Sequence, residues 1–87
     1  MGLKSLVAQN ITARLIDKST RTPIPFATVQ TGEYSGVISN DEGYFTINAD
    51  ALKDKPLLIS CMGYGSKTLT IYDITSSNYV IELESAG

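Results

Sequence analysis

Apolar residues in this chain of 87 residues recur at every second position, in short runs that turn-forming residues separate. Alternation of this period is typical of strands with one buried face, because successive side chains of a strand point to opposite sides. Strands spaced about 8–12 residues apart predict a β-sandwich of two antiparallel sheets. The predicted strands are 11–15, 26–30, 37–39, 44–48, 57–62, 67–72 and 79–84, and the connector 49–56 is expected to hold at most one helical turn.

The same alternation predicts which side chains face the core. The inward set comprises Phe45, Ile47, Leu69, Ile71, Tyr79, Ile81 and Leu83. Asn, Asp and Gly at 40–43 favour a turn, so we expect the runs on either side of it to pair as a hairpin. The run 57–62 is almost continuously apolar, which predicts a central strand covered on both faces.

Composition and charge limit the function. Apolar residues make up 43% of the chain and charged residues 18%, which is typical of one folded domain. The net charge of −2 and the scattered basic residues argue against nucleic-acid binding, which needs clustered positive charge. The chain has no histidine and one cysteine, Cys61, so it lacks an internal disulfide, the usual zinc ligands and the usual base for a nucleophile. We therefore expect no catalytic residue, no metal and no cofactor.

The ends of the sequence hold little information. No run approaches the roughly 20 apolar residues of a membrane-spanning helix, so no span is predicted in this fragment. Residues 1–9 are expected to be a lead segment, or residues added for expression, and residues 10–87 to be the folded domain.

Four stretches, in order, resemble one known family. They are ITARLID at 11–17, PIPFATV at 23–29, GVISNDEGYFTI at 36–47 and LLISCMGY at 57–64. Together they resemble the carboxypeptidase regulatory-like domain, in the form common in Bacteroidota. The resemblance implies an all-β, seven-stranded, antiparallel Greek-key sandwich of the transthyretin (prealbumin) type. Ala13 and Phe26 stand where family members often have glycine, and we expect both to add volume to the core.

The resemblance also implies a function and a location. In metallocarboxypeptidases this domain is an appendage beside the catalytic one, and in Bacteroidota it sits at the N-terminus of TonB-dependent outer-membrane receptors and in other envelope proteins. We therefore expect a non-catalytic structural or interaction module of a larger cell-envelope protein, in the periplasm or associated with the outer membrane. Its expected partners are neighbouring domains of the parent polypeptide, other envelope proteins or glycans. The parent protein and the oligomeric state stay open.

A carbohydrate- or peptide-binding module is the alternative, using exposed tyrosines or an open sheet edge. The candidate surface contacts are Tyr34, Tyr64 and Tyr72. Tyr64 has a competing interpretation as a turn residue that covers the end of the core. An enzyme would depend on carboxylates such as Asp41 and Glu42, which are adjacent in sequence and on a strand would face opposite ways.

Overall fold

The computed structural model describes residues 10–52 and 55–86. Within these residues seven strands and two short helices alternate along the chain. The strands are β1 (Asn10–Asp17), β2 (Thr28–Gln30), β3 (Gly36–Ile38), β4 (Tyr44–Asn48), β5 (Leu57–Ser60), β6 (Lys67–Leu69) and β7 (Val80–Leu83); the helices are α1 (Ala49–Leu52) and α2 (Ile71–Ser76). The seven-stranded β-sandwich and the single helical turn in the connector 49–56 are confirmed.

Two sheets enclose the core. One sheet has three strands in the order β4-β1-β7, and the other has four in the order β3-β2-β5-β6. Alternate side chains of both sheets point into the space between them and are buried. The buried apolar core comprises Ala13, Leu15, Ile24, Ala27, Val29, Phe45, Ile47, Leu52, Leu57, Ile59, Ile74, Ile81 and Leu83. The predicted inward positions of Phe45, Ile47, Ile81 and Leu83 and the core position of Ala13 are confirmed.

The turn at 40–43 links the two sheets. The Asn40 side-chain oxygen accepts hydrogen bonds from the amides of Glu42 and Tyr44, both at 2.9 Å, and Gly43 adopts a φ of 86°. A side chain at Gly43 would come within 2.6 Å of the Leu15 carbonyl, so only glycine fits this crossing. The predicted turn is confirmed, but the predicted hairpin is wrong, because β3 pairs with β2 and β4 pairs with β1.

The predicted strand 67–72 ends at Leu69, and α2 follows. Thr70 caps this helix: its side-chain oxygen accepts the Asp73 amide hydrogen at 3.2 Å, and the Asp73 carboxylate accepts the Thr70 amide hydrogen at 3.0 Å. This capping box favours a helix start over continued strand. As α2 carries the chain from one sheet to the other, β7 enters beside β1 in the parallel sense, whereas the other four ladders are antiparallel as expected. Ile71 is half-buried, on a helix and not on a strand.

Four side chains that the sequence predicted to be buried are exposed. Leu58 is exposed because a sandwich covers β5 on its inner face alone, and Met62 is exposed because β5 ends at Ser60 and Met62 lies in the turn that follows. Phe26 and Tyr79 are exposed as well, the first against the expectation from the resemblance and the second against the expectation from alternation. Both precede their strands and have positive φ, 58° and 65°. Phe26 therefore adds nothing to the volume of the core.

Candidate interaction surface

The outer face of the three-stranded sheet carries cross-linked polar side chains. The guanidinium of Arg14 lies 4.7 Å from the ring centre of Tyr44, its Nε donates to the Glu42 carbonyl at 2.9 Å, and a nitrogen lies 3.6 Å from the Glu42 carboxylate. The hydroxyls of Thr12 and Thr46 are 2.8 Å apart across the β1–β4 ladder. Contacts of this kind suit a sheet face that meets water.

The outer face of the four-stranded sheet has a different composition. The strand registers form two rows of outward residues, one through Ile38, Thr28 and Ser60 and the other through Gly36, Gln30, Leu58 and Thr68. Neither row contains a charged residue. Ile38 and Leu58 are large apolar side chains that this face exposes.

Exposed apolar side chains gather at one end of this sheet. Ile38 pairs with Thr28, Phe26 precedes Thr28 by two residues, and Met62 follows its other partner, Ser60, by two. The exposed fractions are 68% for Phe26, 65% for Ile38 and 97% for Met62. We call these three residues the apolar end. Exposed apolar side chains that cluster, as opposed to occurring singly, mark contact surfaces.

The backbone at Phe26 strengthens that interpretation. Its φ of 58° lies in the left-handed region, which costs a residue with a Cβ about 1–2 kcal/mol. The Phe26 amide donates to the Ser39 carbonyl at 3.0 Å, which holds the residue in this conformation. A ring that is 68% exposed recovers little burial energy in return. A strained residue with an exposed aromatic side chain is a candidate for function.

The three tyrosines named from the sequence lie on different elements. Tyr34 is in the turn between β2 and β3, Tyr64 is in the loop between β5 and β6, and Tyr72 is on α2. Because β2 and β5 are antiparallel, the turn with Tyr34 and the loop with Tyr64 lie at opposite ends of the four-stranded sheet. The structure does not bring these two together into one aromatic platform, and their roles as surface contacts stay predictions.

Tyr64 has a structural role. It packs against the core, and its hydroxyl donates to the Asp17 carboxylate at 2.8 Å. The other carboxylate oxygen of Asp17 accepts the amides of Ser19 and Thr20, at 2.8 and 3.0 Å. The hydrogen bonds from Thr20 and then from Tyr64 lower the pKa of Asp17, and the bond to Asp17 raises the pKa of Tyr64. This bond ties the end of β1 to the loop that follows β5, and so joins the two sheets.

A comparison with known protein families fits this architecture. The model of the CarboxypepD_reg-like domain matches residues 11–87. The chain belongs to the CarboxypepD_reg-like domain family. The family consists of non-catalytic β-sandwich modules of the transthyretin type. No curated protein and no solved structure matches the chain.

The described residues offer neither a metal site nor a membrane-spanning helix. Residues 10–52 and 55–86 bring together no group of three or more His, Cys, Asp or Glu side chains that could hold a metal ion. In the same part of the chain no helix has the length and apolar character to cross a membrane. Cys61 is half-buried and packs at the edge of the core.

Sequence reasoning missed the apolar end. The resemblance predicted that Phe26 adds volume to the core, and the apolar run 57–62 predicted that Met62 belongs to a covered strand. One signal could have found Phe26: where related domains often have glycine, a positive φ is to be expected, and alternation then no longer predicts the direction of the side chain. For Ile38 and Met62 no such signal exists, because the pattern cannot tell which outer face has a partner.

Proposed function

We propose that this domain is a non-catalytic docking module of a larger bacterial cell-envelope protein, and that its apolar end contacts a neighbouring domain of the same polypeptide. The parent that the resemblance favours is a TonB-dependent outer-membrane receptor, with this domain as its N-terminal extension in the periplasm. Membership of the family supports the non-catalytic part of this proposal. The observation that carries the docking part is the exposed ring of Phe26, on a strained backbone, at the same end of the sheet as Ile38 and Met62.

The difference between the two outer faces supports the same proposal. Polar contacts satisfy the three-stranded sheet in water, whereas the four-stranded sheet exposes an uncharged face. The buried cores of interfaces are depleted of charge, because charged groups are costly to desolvate. A neighbouring domain therefore fits the four-stranded sheet better than it fits the other.

A binding experiment in trans tests this function. The isolated domain is titrated by calorimetry into the parent polypeptide produced without it, and we expect saturable binding. Ile38→Glu places a charge in the apolar end and should abolish binding. Thr12→Glu, on the outer face of the other sheet, is the matched control and should bind like the unmodified domain. Equal binding by both variants would refute the proposed surface.

A glycan-binding function is the second candidate, and two exposed aromatic rings favour it. Tyr34 is 93% exposed and Tyr72 is 76% exposed, and such rings can stack on sugars. If this candidate holds, titration with a glycan panel gives saturable binding that Tyr34→Ala or Tyr72→Ala abolishes. Tyr64→Ala is a poor probe, because it also removes the bond to Asp17. An absence of binding across the panel would leave the docking function.

A further inference from the structure

The two sides of the sandwich differ in how their edge strands are protected. On one side lie β6 and β7, where the Lys67 ammonium donates to the main-chain oxygen of Glu82 at 2.9 Å and the Glu82 carboxylate pairs with Arg21. Charged side chains at an edge discourage the addition of another strand. On the opposite side lie β3 and β4, and neither of these strands contains a charged residue.

The main chain of β4 is open along that side. The Leu15 amide donates to the Gly43 carbonyl at 2.8 Å, which sets the phase of the β1–β4 ladder. Because hydrogen-bonded pairs alternate along an antiparallel ladder, Phe45 and Ile47 bond to β1. The amide and carbonyl of Thr46 and the amide of Asn48 therefore point away from β1. Groups two residues apart along a strand match the spacing of another extended backbone.

A groove lies directly beside this edge. It has a volume of about 400 Å³, runs between β4 and β3, and is bounded by α1. Val37, Ile47 and Leu52 give it an apolar lining. Lys55 carries the one charge among the residues that line the groove in the described part of the chain. The groove can therefore accept an apolar side chain, and its rim is suited to a carboxylate.

We propose that the free edge of β4 receives an extended segment of a partner protein. The segment pairs with the main chain of Thr46 and Asn48, places an apolar side chain in the groove, and sets an acidic residue beside Lys55. A second copy of this domain fits less well, because β4 itself has no carboxylate to place there. The contact is a strand addition, in which the main chain supplies affinity and the groove supplies selectivity. It is separate from the apolar end.

The probe is a synthetic hexapeptide, acetyl-Thr-Val-Thr-Val-Thr-Glu-amide, titrated into the isotope-labelled domain and followed by nuclear magnetic resonance. We expect saturable shifts of the Thr46 and Asn48 amide signals. A peptide with N-methyl groups at alternate residues should bind about tenfold more weakly, because it lacks main-chain donors. Thr46→Pro should cause a similar loss, since it removes an amide that the fold does not use, and Thr46→Val is the matched control that should retain binding.

A charge exchange keeps the test informative if Thr46→Pro fails to fold. Lys55→Glu should bind the acidic peptide more weakly and should regain affinity for the same peptide with lysine in place of glutamate. The proposal is overturned if the peptide does not bind at millimolar concentration, or if Thr46→Pro and Lys55→Glu both bind it unchanged. Dimerisation of the domain that Thr46→Pro abolishes would also overturn it, in favour of a second copy. None of these variants touches the apolar end, so the docking function is judged separately.

Discussion

The outer faces of the two sheets use their side chains in opposite ways. Across the three-stranded sheet, Arg14 packs over Tyr44 and bonds to Glu42, and the hydroxyls of Thr12 and Thr46 meet. Across the four-stranded sheet the outward residues carry no charge, and its end exposes the apolar residues Phe26, Ile38 and Met62.

This difference between the outer faces distinguishes residues that stabilise the fold from residues that are available to bind a partner. Both inner faces contribute fully buried side chains to one core, Leu15 from one sheet and Ile59 from the other, so the fold itself does not require the outer faces to differ. A face with partnered polar side chains is complete in water, whereas a strained aromatic residue beside exposed aliphatic ones gains nothing from isolation. The outer face of the four-stranded sheet, and not that of the three-stranded sheet, is therefore the face on which we expect a neighbouring domain to dock.

The largest expected effects come from the inner faces, where the two sheets should behave alike. Leu15 on β1 and Ile59 on β5 are both fully buried. Truncation of either to alanine removes apolar contacts and leaves a cavity, so Leu15→Ala and Ile59→Ala should each lower the free energy of unfolding by about 2–5 kcal/mol. Urea denaturation measures both. If Ile59→Ala cost much less than Leu15→Ala, the sheets would differ inside as well as outside, and the comparison would fail.

A smaller effect of opposite sign is expected at Phe26. Phe26→Gly relieves the left-handed strain but adds glycine's entropy loss on folding, so the free energy of unfolding should rise by up to about 1 kcal/mol. Phe26→Ala is the control, since it removes the ring and keeps the strain, and it should bring no gain. Thermal unfolding of the two variants decides the matter. A glycine variant less stable than the alanine variant would mean that Phe26 is not held in this conformation.

Substitutions on the outer faces should show most directly that the two sheets differ in how far their outer side chains stabilise the fold. Arg14→Ala removes the contact with the Tyr44 ring and should cost about 0.5–1 kcal/mol. Ile38→Thr retains a β-branched side chain at an exposed position and should change stability by less than about 0.5 kcal/mol. Chemical denaturation compares the two. A larger cost for Ile38→Thr than for Arg14→Ala would show that Ile38 serves the fold and not a partner.

Acid titration tests the bond that joins the sheets. The pKa of Asp17 is lowered in the folded state by the hydrogen bonds from Thr20 and Tyr64. Its contribution to stability is therefore present above the unfolded pKa of about 3.9 and is lost as the pH falls through the lower, folded value. Below about pH 4 the melting temperature of Asp17→Asn should fall less steeply than that of the unmodified domain.

Tyr64→Phe separates the two sources of that acid sensitivity. It removes one donor to Asp17 and leaves the amides of Ser19 and Thr20 in place. The fall of its melting temperature with pH should therefore be intermediate between those of Asp17→Asn and the unmodified domain. The melting temperature of every variant should still fall somewhat at acid pH, because Arg21 also lowers the pKa of Glu82. If the melting temperatures of Asp17→Asn and the unmodified domain fell equally with pH, the hydrogen bonds to Asp17 would not stabilise the fold.

Local patterns predicted the parts of the fold that depend on local chemistry. Alternation placed Phe45, Ile47 and Ile81 in the core, because a two-residue period has one meaning in a half-buried strand. Turn chemistry located 40–43, yet it could not tell which sheet the next strand joins, and so the hairpin was wrong. Alternation at 67–72 also competed with the capping box of Thr70 and Asp73, and the cap prevailed.

The candidate surfaces were less predictable than the fold. Exposure of Phe26 follows from a positive φ, and the open edge of β4 follows from strand order, which depends on contacts between distant parts of the chain. Sequence alternation ranks residues as inward or outward but does not distinguish an outer face with polar partners from one without. Residue type alone pointed to Tyr34, Tyr64 and Tyr72, and residue type does not indicate where a residue lies relative to the sheets.

Side-chain footprinting in the intact parent protein tests the docking surface most directly. Met62 is 97% exposed in the isolated domain, so peroxide should oxidise it readily there, and hydroxyl radicals should label Phe26. In the parent we expect both reactions to slow markedly, while labelling of Tyr34, at the opposite end of the sheet, stays the same. If Met62 and Phe26 reacted equally fast in the isolated domain and in the parent, the apolar end would have no partner there and the account would be contradicted.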